Sequence, residues 1–355
     1  MRILVTGGTG YVGSHTVAAL VRAGHDVTLL ARSPDRVAPA LEPHGVDPGA
    51  VGTELGDITD ADAVERAMQG QEAVVHGASV FSMDARKADE MNAVNVAGTE
   101  LVLATAERLG LDPIVYVSSE LALLPPARGE VLTPDSPTGR APTPYCRSKA
   151  ESEDVARKFQ ERDAPVVAVM PAAIWGPQDP HFGEGVLMCR NLVRRTYPFV
   201  MDGGVHIADV RDVAAALVAV MEPGRGPRSY LVAGHYLSVK EMQRTLGDLT
   251  GRRIPSVTMP RGFLATFGKV ADWFQKRMER RLPWTYEGIW VLNTRARCDD
   301  SRTREELGLA PRDIRETFAD TVRWLVSVGS LTPKQAGKLG SGAGKAGDGA
   351  AGSPA

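Results

Sequence analysis

The first half of the chain alternates short, nearly continuous apolar runs with longer amphipathic segments. The apolar runs are RILVT, DVTLLA, AVVHGA, PIVYVS and PVVAVMP, and they are rich in β-branched residues. Segments between them, such as GSHTVAALVRAG, carry apolar residues at helical spacing. Strands that are apolar at nearly every position are typical of a parallel sheet covered on both faces. The pattern therefore predicts an α/β fold with a doubly wound parallel sheet.

The alternation ends after about residue 172. Loops such as WGPQDPHFGEG are followed by the helical segment DVRDVAAALVAVME, the strand-like run SYLVAG and further helical segments. This predicts a smaller C-terminal lobe that the chain enters and leaves more than once. The chain ends in a stretch rich in Gly, Ala and Ser without apolar periodicity, which predicts a disordered tail over residues 333–355.

Composition argues against several classes of function. The formal net charge is −2 and the isoelectric point is near 6.4, so the chain lacks the basic footprint of a nucleic-acid-binding protein. Its 3 cysteines are far apart and form no Cys-x-x-Cys pair, which argues against a disulfide framework and a metal site. We see no apolar run suited to a signal peptide and none of about 18 residues suited to a membrane span. We therefore expect a cytoplasmic protein with a small-molecule ligand.

The first apolar run leads directly into the glycine-rich sequence TGGTGYVG, which opens the next helix. Three glycines at this spacing let the chain turn tightly and bring backbone N–H groups against a diphosphate. A strand before the loop and a helix after it are the context that a dinucleotide site requires. We therefore predict a Rossmann-type fold, and the loop residues that we expect to contact the dinucleotide are Gly7, Thr9, Gly10, Tyr11, Val12 and Gly13.

The end of the second apolar run bears on which dinucleotide is bound. Arg32 and Ser33 stand where an acidic residue would bind a ribose 2′-hydroxyl. A guanidinium and a hydroxyl suit a 2′-phosphate, so the sequence favours NADP over NAD, while a solvated surface charge is the other explanation of Arg32. Further contacts that we predict at this edge of the sheet are Asp57 and Ile58 over the adenine, and Gly77, Ala78 and Ser79 after the fourth run.

Two Tyr-x-x-x-Lys pairs compete as acid/base candidates. In YLSVK, Ser238 and Glu241 form a capping box that starts a helix after Tyr236, so Tyr236 and Lys240 do not share a helix face. The sequence PYCRSK differs, because its residues fit the start of a helix that contains both members of the pair.

In PYCRSK, Thr143 is a suitable N-cap and Pro144 a suitable first helical residue, which places Tyr145 and Lys149 one turn apart. A tyrosine exchanges protons slowly at neutral pH unless a nearby positive charge lowers its pKa, and Lys149 carries such a charge. An orienting hydroxyl is also needed, and VYVSS ends the fifth strand with two serines, Ser118 and Ser119. Strand alternation predicts that only one of them faces the site.

These pieces together resemble a short-chain dehydrogenase/reductase of the extended type, in the NAD-dependent epimerase/dehydratase superfamily. The resemblance covers roughly residues 1–330. The motifs that carry it are, in order, TGGTGYVG, NVAGT, VYVSS, YCRSK, MPAAIWGP and DVRDVA.

The resemblance implies roles for individual residues. Tyr145 would be the general acid/base, Ser119 would hydrogen-bond the substrate oxygen, and Lys149 would hold the nicotinamide ribose and lower the tyrosine pKa. Asn95 in NVAGT matches a residue that is usually structural in extended members. The remaining predicted dinucleotide contacts are Asn95, Pro171 and Ile174.

Departures from the family pattern bear on the reaction. Glu120 and Leu121 replace the Asp-Glu pair of nucleotide-sugar dehydratases, and residues 170–173 lack the asparagine of sugar epimerases. The sequence more closely resembles dihydroflavonol-reductase-like and 3β-hydroxysteroid-dehydrogenase-like members. We therefore expect an NADP(H)-dependent oxidoreductase that interconverts a carbonyl and a secondary alcohol on a small apolar substrate. The alternatives are a sugar-nucleotide epimerase and a non-catalytic dinucleotide-sensing protein.

The resemblance also divides the chain. We predict an NADP-binding Rossmann domain over 1–175 with a returning segment at about 205–235, and a substrate-binding lobe over 176–204 and 236–332. Residues 261–280 form either an apolar wall for the substrate or only the core of that lobe, and a peripheral membrane contact is a further alternative. Related proteins are often dimers, so we expect a homodimer.

Overall fold

The computed structural model describes residues 1–81, 88–196, 199–201, 203–254, 257–259 and 286–342. Its strands are β1 Arg2–Thr6, β2 Asp26–Ala31, β3 Gly52–Leu55, β4 Ala73–His76, β5 Ile114–Val117, β6 Val131–Leu132, β7 Val166–Pro171, β8 Ala173–Trp175, β9 Phe199–Met201, β10 Gly204–Asp209, β11 Arg228–Val232, β12 His235–Ser238, β13 Val257–Met259 and β14 Arg297–Cys298. The α-helices of the described residues are α1 Tyr11–Arg22, α2 Val37–Leu41, α3 Ala61–Met68, α4 Ala88–Asn92, α5 Gly98–Leu109, α6 Pro144–Gln160, α7 Glu184–Arg194, α8 Val210–Ala219, α9 Val239–Thr250, α10 Tyr286–Thr294, α11 Ser301–Leu307, α12 Ile314–Ser327 and α13 Pro333–Ala336.

Seven strands form one parallel sheet in the order β11-β7-β5-β4-β1-β2-β3. In the central strand β1, Ile3 pairs with Val27 of β2 on one side and with Ala73 of β4 on the other. The strand order reverses between β1 and β4, which is where ligands of doubly wound sheets bind, at the carboxyl ends of the strands. The predicted α/β, doubly wound Rossmann-type fold is confirmed.

Both faces of this sheet are buried, which explains the continuous apolar runs. Val5 faces one side, where Val17 of α1 and Leu217 of α8 cover the sheet. Its neighbour Leu4 faces the other side, which α3, α5 and α6 cover, for example through Phe159. Burying a side chain of this size stabilises the fold by about 1.5–3 kcal/mol.

A second core is built from residues between Trp175 and Leu339. The rings of Trp175 and Phe318 are 4.8 Å apart at its centre. Strands β12, β10 and β8 form a small sheet beside it, and after β10 the chain returns through α8 to add β11 to the main sheet. The main sheet therefore includes a strand from the predicted returning segment, while the domain boundaries that we drew from the sequence remain predictions.

The predicted disordered tail is wrong for residues 333–342. Thr332 and Gln335 form a capping box that starts helix α13, and Ala336 is buried in the second core. The guanidinium of Arg252 also donates to the carbonyl oxygen of Gln335. The sequence pattern missed this segment because one capping pair and one buried alanine produce no apolar periodicity. Residues from 343 onward and the predicted wall at 261–280 lie outside the described residues.

Within the described part of the chain, we find no helix with the length and apolarity needed to cross a membrane.

Candidate active site

The glycine loop between β1 and α1 is closely packed against the sheet edge. Gly7 has a left-handed backbone with φ +75°, and a Cβ there would lie 2.6 Å from the backbone N of Ala78. A Cβ on Gly13 would lie 2.0 Å from the carbonyl oxygen of Gly7. Neither position has room for a side chain. No side chain caps the N-terminus of α1, so its first-turn N–H groups are available to an anion.

The loop opens into a cavity of about 500 Å³ at the carboxyl edge of the sheet. Strand ends, helix α6 and the second core all contribute to its walls. The predicted site residues that line it are Gly7, Gly10, Tyr11, Val12, Gly13, Gly77, Ser79, Ser119, Tyr145, Lys149, Pro171 and Ile174. The structure thus brings all three predicted catalytic residues and much of the predicted dinucleotide site into one cavity, although their roles remain predictions.

Arg32 and Ser33 lie just beyond the end of β2 and outside this cavity lining. Arg32 is exposed and makes no hydrogen bond or ion pair with any residue that the structure describes. Ser33 precedes a short 3-10 turn. Their position at the sheet's carboxyl edge suits the predicted contact with a ribose, which stays a prediction.

Asp57, Ile58 and Thr9 also lie outside the lining. Asp57 Oδ1 accepts hydrogen bonds from the backbone N–H and the hydroxyl of Thr59, at 3.0 and 2.7 Å. Ile58 is buried, and its Cδ1 would be 2.7 Å from a Cβ on Gly98. These contacts give Asp57 and Ile58 structural roles, beside which a contact with adenine remains a prediction.

Asn95 and Ala78 hold the segment that follows β4. The side chain of Asn95 accepts from the backbone N–H of Val80 at 2.7 Å and donates to its carbonyl oxygen at 3.0 Å. The backbone N–H of Ala78 donates to the hydroxyl of Thr6 at 3.3 Å. Asn95 is therefore bound to protein on both sides of its amide, which fits the structural role that the resemblance implies.

Helix α6 begins at Pro144 after the N-cap residue Thr143, as the sequence predicts, although the Thr143 side chain makes no capping hydrogen bond. Tyr145 and Lys149 follow one turn apart. The Lys149 ammonium donates to the carbonyl oxygen of Val117 at 3.2 Å, which ties α6 to the end of β5. The ring of Phe81 contacts the Tyr145 ring edge-on, with centres 4.6 Å apart.

The competing pair does not share a helix. Tyr236 lies in β12, and Lys240 lies in α9 beyond the capping box of Ser238 and Glu241. The Tyr236 ring instead stacks under the guanidinium of Arg297. The prediction that this pair is structurally separate is confirmed.

Burial shifts the pKa of both members of the first pair. It lowers the pKa of Lys149 to about 8, with Glu153 opposing the shift. Burial raises the pKa of Tyr145, and the thiol of Cys146 and the carboxyl of Glu287 raise it further. Tyr145 is therefore protonated at neutral pH.

Both Ser118 and Ser119 contribute to the cavity lining, but the hydroxyl of Ser118 is buried beside Glu153, and the expectation that only one serine faces the site stays a prediction. Strand β5 ends at Val117, and the backbone N–H of Ser118 still donates to the carbonyl oxygen of Val169 in β7 at 2.8 Å. Ser119 Oγ accepts from the backbone N–H of Leu121 at 3.2 Å. Ser118 Oγ is buried and has no hydrogen-bond partner among the described residues.

Part of the cavity lining is apolar, and the sequence did not point to it. Met188 of α7, Val205 of β10, Val239 of α9 and Leu292 of α10 form a small hydrophobic cluster there. Each residue looks like ordinary core in its own element. Only the tertiary fold brings four separate elements to one wall, so no local signal could have identified it.

Glu120 also lines the cavity, and we did not predict a functional role for it. It is 4% exposed, and burial raises its pKa to about 8. The thiol of Cys298 donates to its Oε2 at 3.4 Å. The sequence offered one signal, an acid directly after Ser119.

The residues present fit a nicotinamide dinucleotide. The loop leaves no room for a Cβ at Gly7 or Gly13, and α1 presents uncapped N–H groups. The buried hydroxyl of Tyr11, which lines the same cavity, has no hydrogen-bond partner within the described ranges. Such a cradle binds a diphosphate through backbone donors.

The fold, the glycine cradle and the Tyr-Lys pair define a class of dinucleotide-dependent enzymes. The sequence profile of the NAD dependent epimerase/dehydratase family matches residues 3–233. The chain belongs to this family and is an enzyme of it, as the sequence predicts. Its activity is that of an NAD-dependent oxidoreductase, epimerase or dehydratase.

Individual relatives extend along most of the chain. It is 32% identical over 341 residues to sterol demethylase protein B of Methylococcus capsulatus, covering 93% of this chain and 100% of that protein. It is 29% identical to a putative dihydroflavonol 4-reductase of Synechocystis sp., covering 92% and 94%. The crystal structure of Bordetella bronchiseptica WbmG in complex with NAD superposes with a TM-score of 0.70 at 25% identity, covering 93% and 95%.

Proposed function

We propose that this enzyme interconverts a ketone and a secondary alcohol on a small, mainly apolar molecule, and that it prefers NADP(H). The observation that carries the proposal is that one cavity has both the three predicted catalytic residues and an apolar cluster in its lining. Ser119, Tyr145 and Lys149 line this cavity together with the apolar cluster that includes Met188 and Leu292. Burial of a hydrocarbon body is favourable by about 25 cal/mol per Å², so the apolar cluster can hold the molecule while the polar side chains act on its oxygen.

Each of the polar side chains has a separate task. A bound nicotinamide dinucleotide supplies or accepts the hydride. The Tyr145 hydroxyl gives its proton to the ketone oxygen during reduction and takes it back during oxidation. Ser119 hydrogen-bonds the same oxygen, and Lys149 holds the nicotinamide ribose.

The pKa of Tyr145 bears on the direction of the reaction. Because burial keeps this hydroxyl protonated at neutral pH, the tyrosine is already in the form that ketone reduction requires. Oxidation requires its anion, whose formation the charge of Lys149 favours. At neutral pH Tyr145 is therefore ready to donate its proton in reduction, and it must first lose that proton before it can act in oxidation.

Two observations support the finer parts of the proposal. The names of sterol demethylase protein B and the putative dihydroflavonol 4-reductase refer to polycyclic oxygenated molecules, which makes ring ketones and alcohols the first substrates to test. Arg32, exposed after β2 with no acidic residue beside it in the chain, supports NADP over NAD.

The test is a Tyr145→Phe variant assayed with NADPH and a panel of cyclic ketones. Loss of the proton donor should lower kcat by about a hundredfold or more, while the Kd for NADPH changes little. Tyr236→Phe is the matched control and should keep the wild-type rate. An unchanged kcat in Tyr145→Phe would refute the mechanism.

The same assay separates the alternative functions. A sugar-nucleotide epimerase would convert its substrate without net oxidation of NADPH. A dinucleotide-sensing protein would bind NADPH and turn over no ketone of the panel.

A further inference from the structure

Four polar residues follow one another at every fourth position along α6: Tyr145, Lys149, Glu153 and Arg157. Residues at this spacing lie one turn apart on the same helix face. The first two line the cavity, whereas Glu153 is fully buried behind them. One oxygen of Glu153 accepts from Arg157 Nε at 2.9 Å. A fully buried carboxylate destabilises the fold unless its charge is paired with an opposite charge or satisfied by hydrogen bonds.

The space around Glu153 holds other unpaired polar atoms. Glu153 Oε2, Tyr116 OH and Ser118 Oγ are all buried, and none has a hydrogen-bond partner in the described part of the chain. Ser118 nevertheless lies close enough to lower the pKa of Glu153. The Lys149 ammonium sits 5.4 Å from the centre of the Tyr116 ring, at the cavity side of this group. A buried polar region thus extends directly behind the lysine.

Glu153 supplies the negative charge of this region. Burial lowers the pKa of Lys149, and Glu153 is the group that raises it. Arg157 and Lys149 in turn oppose the upward shift that burial imposes on the pKa of Glu153. Arg157 also donates to the carbonyl oxygen of Pro134, which holds the guanidinium at the outer end of the row.

The titratable groups that face the row from the neighbouring strands carry no charge at neutral pH. Burial raises the pKa of Tyr116 in β5 and lowers that of His76 in β4 to about 3. The two rings stack at 5.9 Å. Asp135 is paired with Arg302, which is the main cause of its lowered pKa, and Arg157 lowers that pKa to a smaller extent. Among the described groups that act on Lys149, Glu153 is therefore the one that carries a negative charge.

We propose that Glu153 is a positioning residue that keeps Lys149 in its ammonium form at the pH where the enzyme works. The inference rests on the proposed function of Lys149, whose charge assists Tyr145 and binds the ribose. Without the buried carboxylate, Lys149 would lose its proton at lower pH and the assistance would end there.

The experiment measures the protonation of Lys149 directly, by NMR titration of protein labelled at the lysine ε-carbons, together with the pH profile of kcat. Glu153→Gln should lower the Lys149 pKa by about one unit, the shift expected from loss of a nearby opposite charge. The alkaline limb of the kcat profile should move down equally. Glu151→Gln, which removes the same charge from the same helix at a less buried position, should leave both measurements unchanged.

Removing one partner of a buried pair can prevent folding, so a double variant is included. Glu153→Met with Arg157→Met replaces both charges by apolar side chains, which cores tolerate better than a single orphaned ion. It should lower the Lys149 pKa as well. An unchanged Lys149 titration in either folded variant overturns the inference. A shifted titration in a protein that turns over no substrate would support it and reject the proposed function instead.

Discussion

The thiol of Cys298 donates to Glu120 Oε2 across 3.4 Å, which joins β14 to the turn that follows β5. The two residues are 178 positions apart in the chain. The contact fixes a buried carboxyl in the wall of the cavity, directly after Ser119. Because burial raises the pKa of Glu120 to about 8, the carboxyl is mostly protonated at neutral pH.

Glu120 should make the protein less stable as pH rises. Its folded-state pKa of about 8 exceeds the ordinary value of 4.5, so between these pH values the folded chain keeps a proton that the unfolded chain loses. Linkage then lowers the free energy of unfolding by at most about 1.4 kcal/mol per pH unit through that window. Glu120→Gln should reduce this slope in urea unfolding measured at pH 5 and pH 8. Equal slopes in the variant and the wild type would contradict the assignment.

Arg32 should set the dinucleotide preference. Arg32→Asp removes a charge-assisted contact with a 2′-phosphate and adds an acceptor for a 2′-hydroxyl, which should move the NADP/NAD ratio of kcat/KM toward NAD by roughly ten- to a hundredfold. Arg244→Asp, the same exchange at an exposed position of α9, is the control. Unchanged selectivity in Arg32→Asp would leave Arg32 as a solvated surface charge.

Gly13 should tolerate no side chain. A Cβ there would lie 2.0 Å from Gly7 O, whereas a Cβ on Gly10 would lie 3.2 Å from the same atom. Gly13→Ala should destabilise the loop by about 1–3 kcal/mol and weaken NADPH binding in calorimetry, with a smaller effect for Gly10→Ala. Equal affinities in the two variants would show that the loop relaxes.

Leu292 should hold the apolar part of the substrate. Leu292→Asn keeps the side-chain size but places a polar group in the apolar cluster, which costs about 1–3 kcal/mol when it finds no partner. KM for cyclic ketones should therefore rise about tenfold or more, with a smaller change in kcat. Leu55→Asn, at an exposed leucine of β3, should change neither value. A lower kcat with unchanged KM would contradict this assignment.

Local signals predicted the parts of the site that are built from contiguous residues. The glycine loop, the pair of Tyr145 and Lys149 and the capping box at Ser238 each depend on residues within a few positions, so sequence spacing determines them.

Features that join distant elements were not predictable in the same way. The apolar wall collects single residues from four elements, and the bond between Glu120 and Cys298 spans half of the chain. Glu153 was visible in the sequence, but its burial depends on how α6 packs against β5. Long-range packing, and not local propensity, determines these contacts.

The return of the chain to add β11 at the edge of the main sheet limits how this protein can be divided. A fragment that ended near residue 175 would lack β11 and leave the backbone N–H and C=O groups of β7 unpaired at an open edge, which invites aggregation. The residues after 175 therefore cannot be exchanged between relatives as one contiguous segment. Chimeras designed to alter specificity should keep β10, α8 and β11 with the N-terminal sequence and replace only the segments on either side.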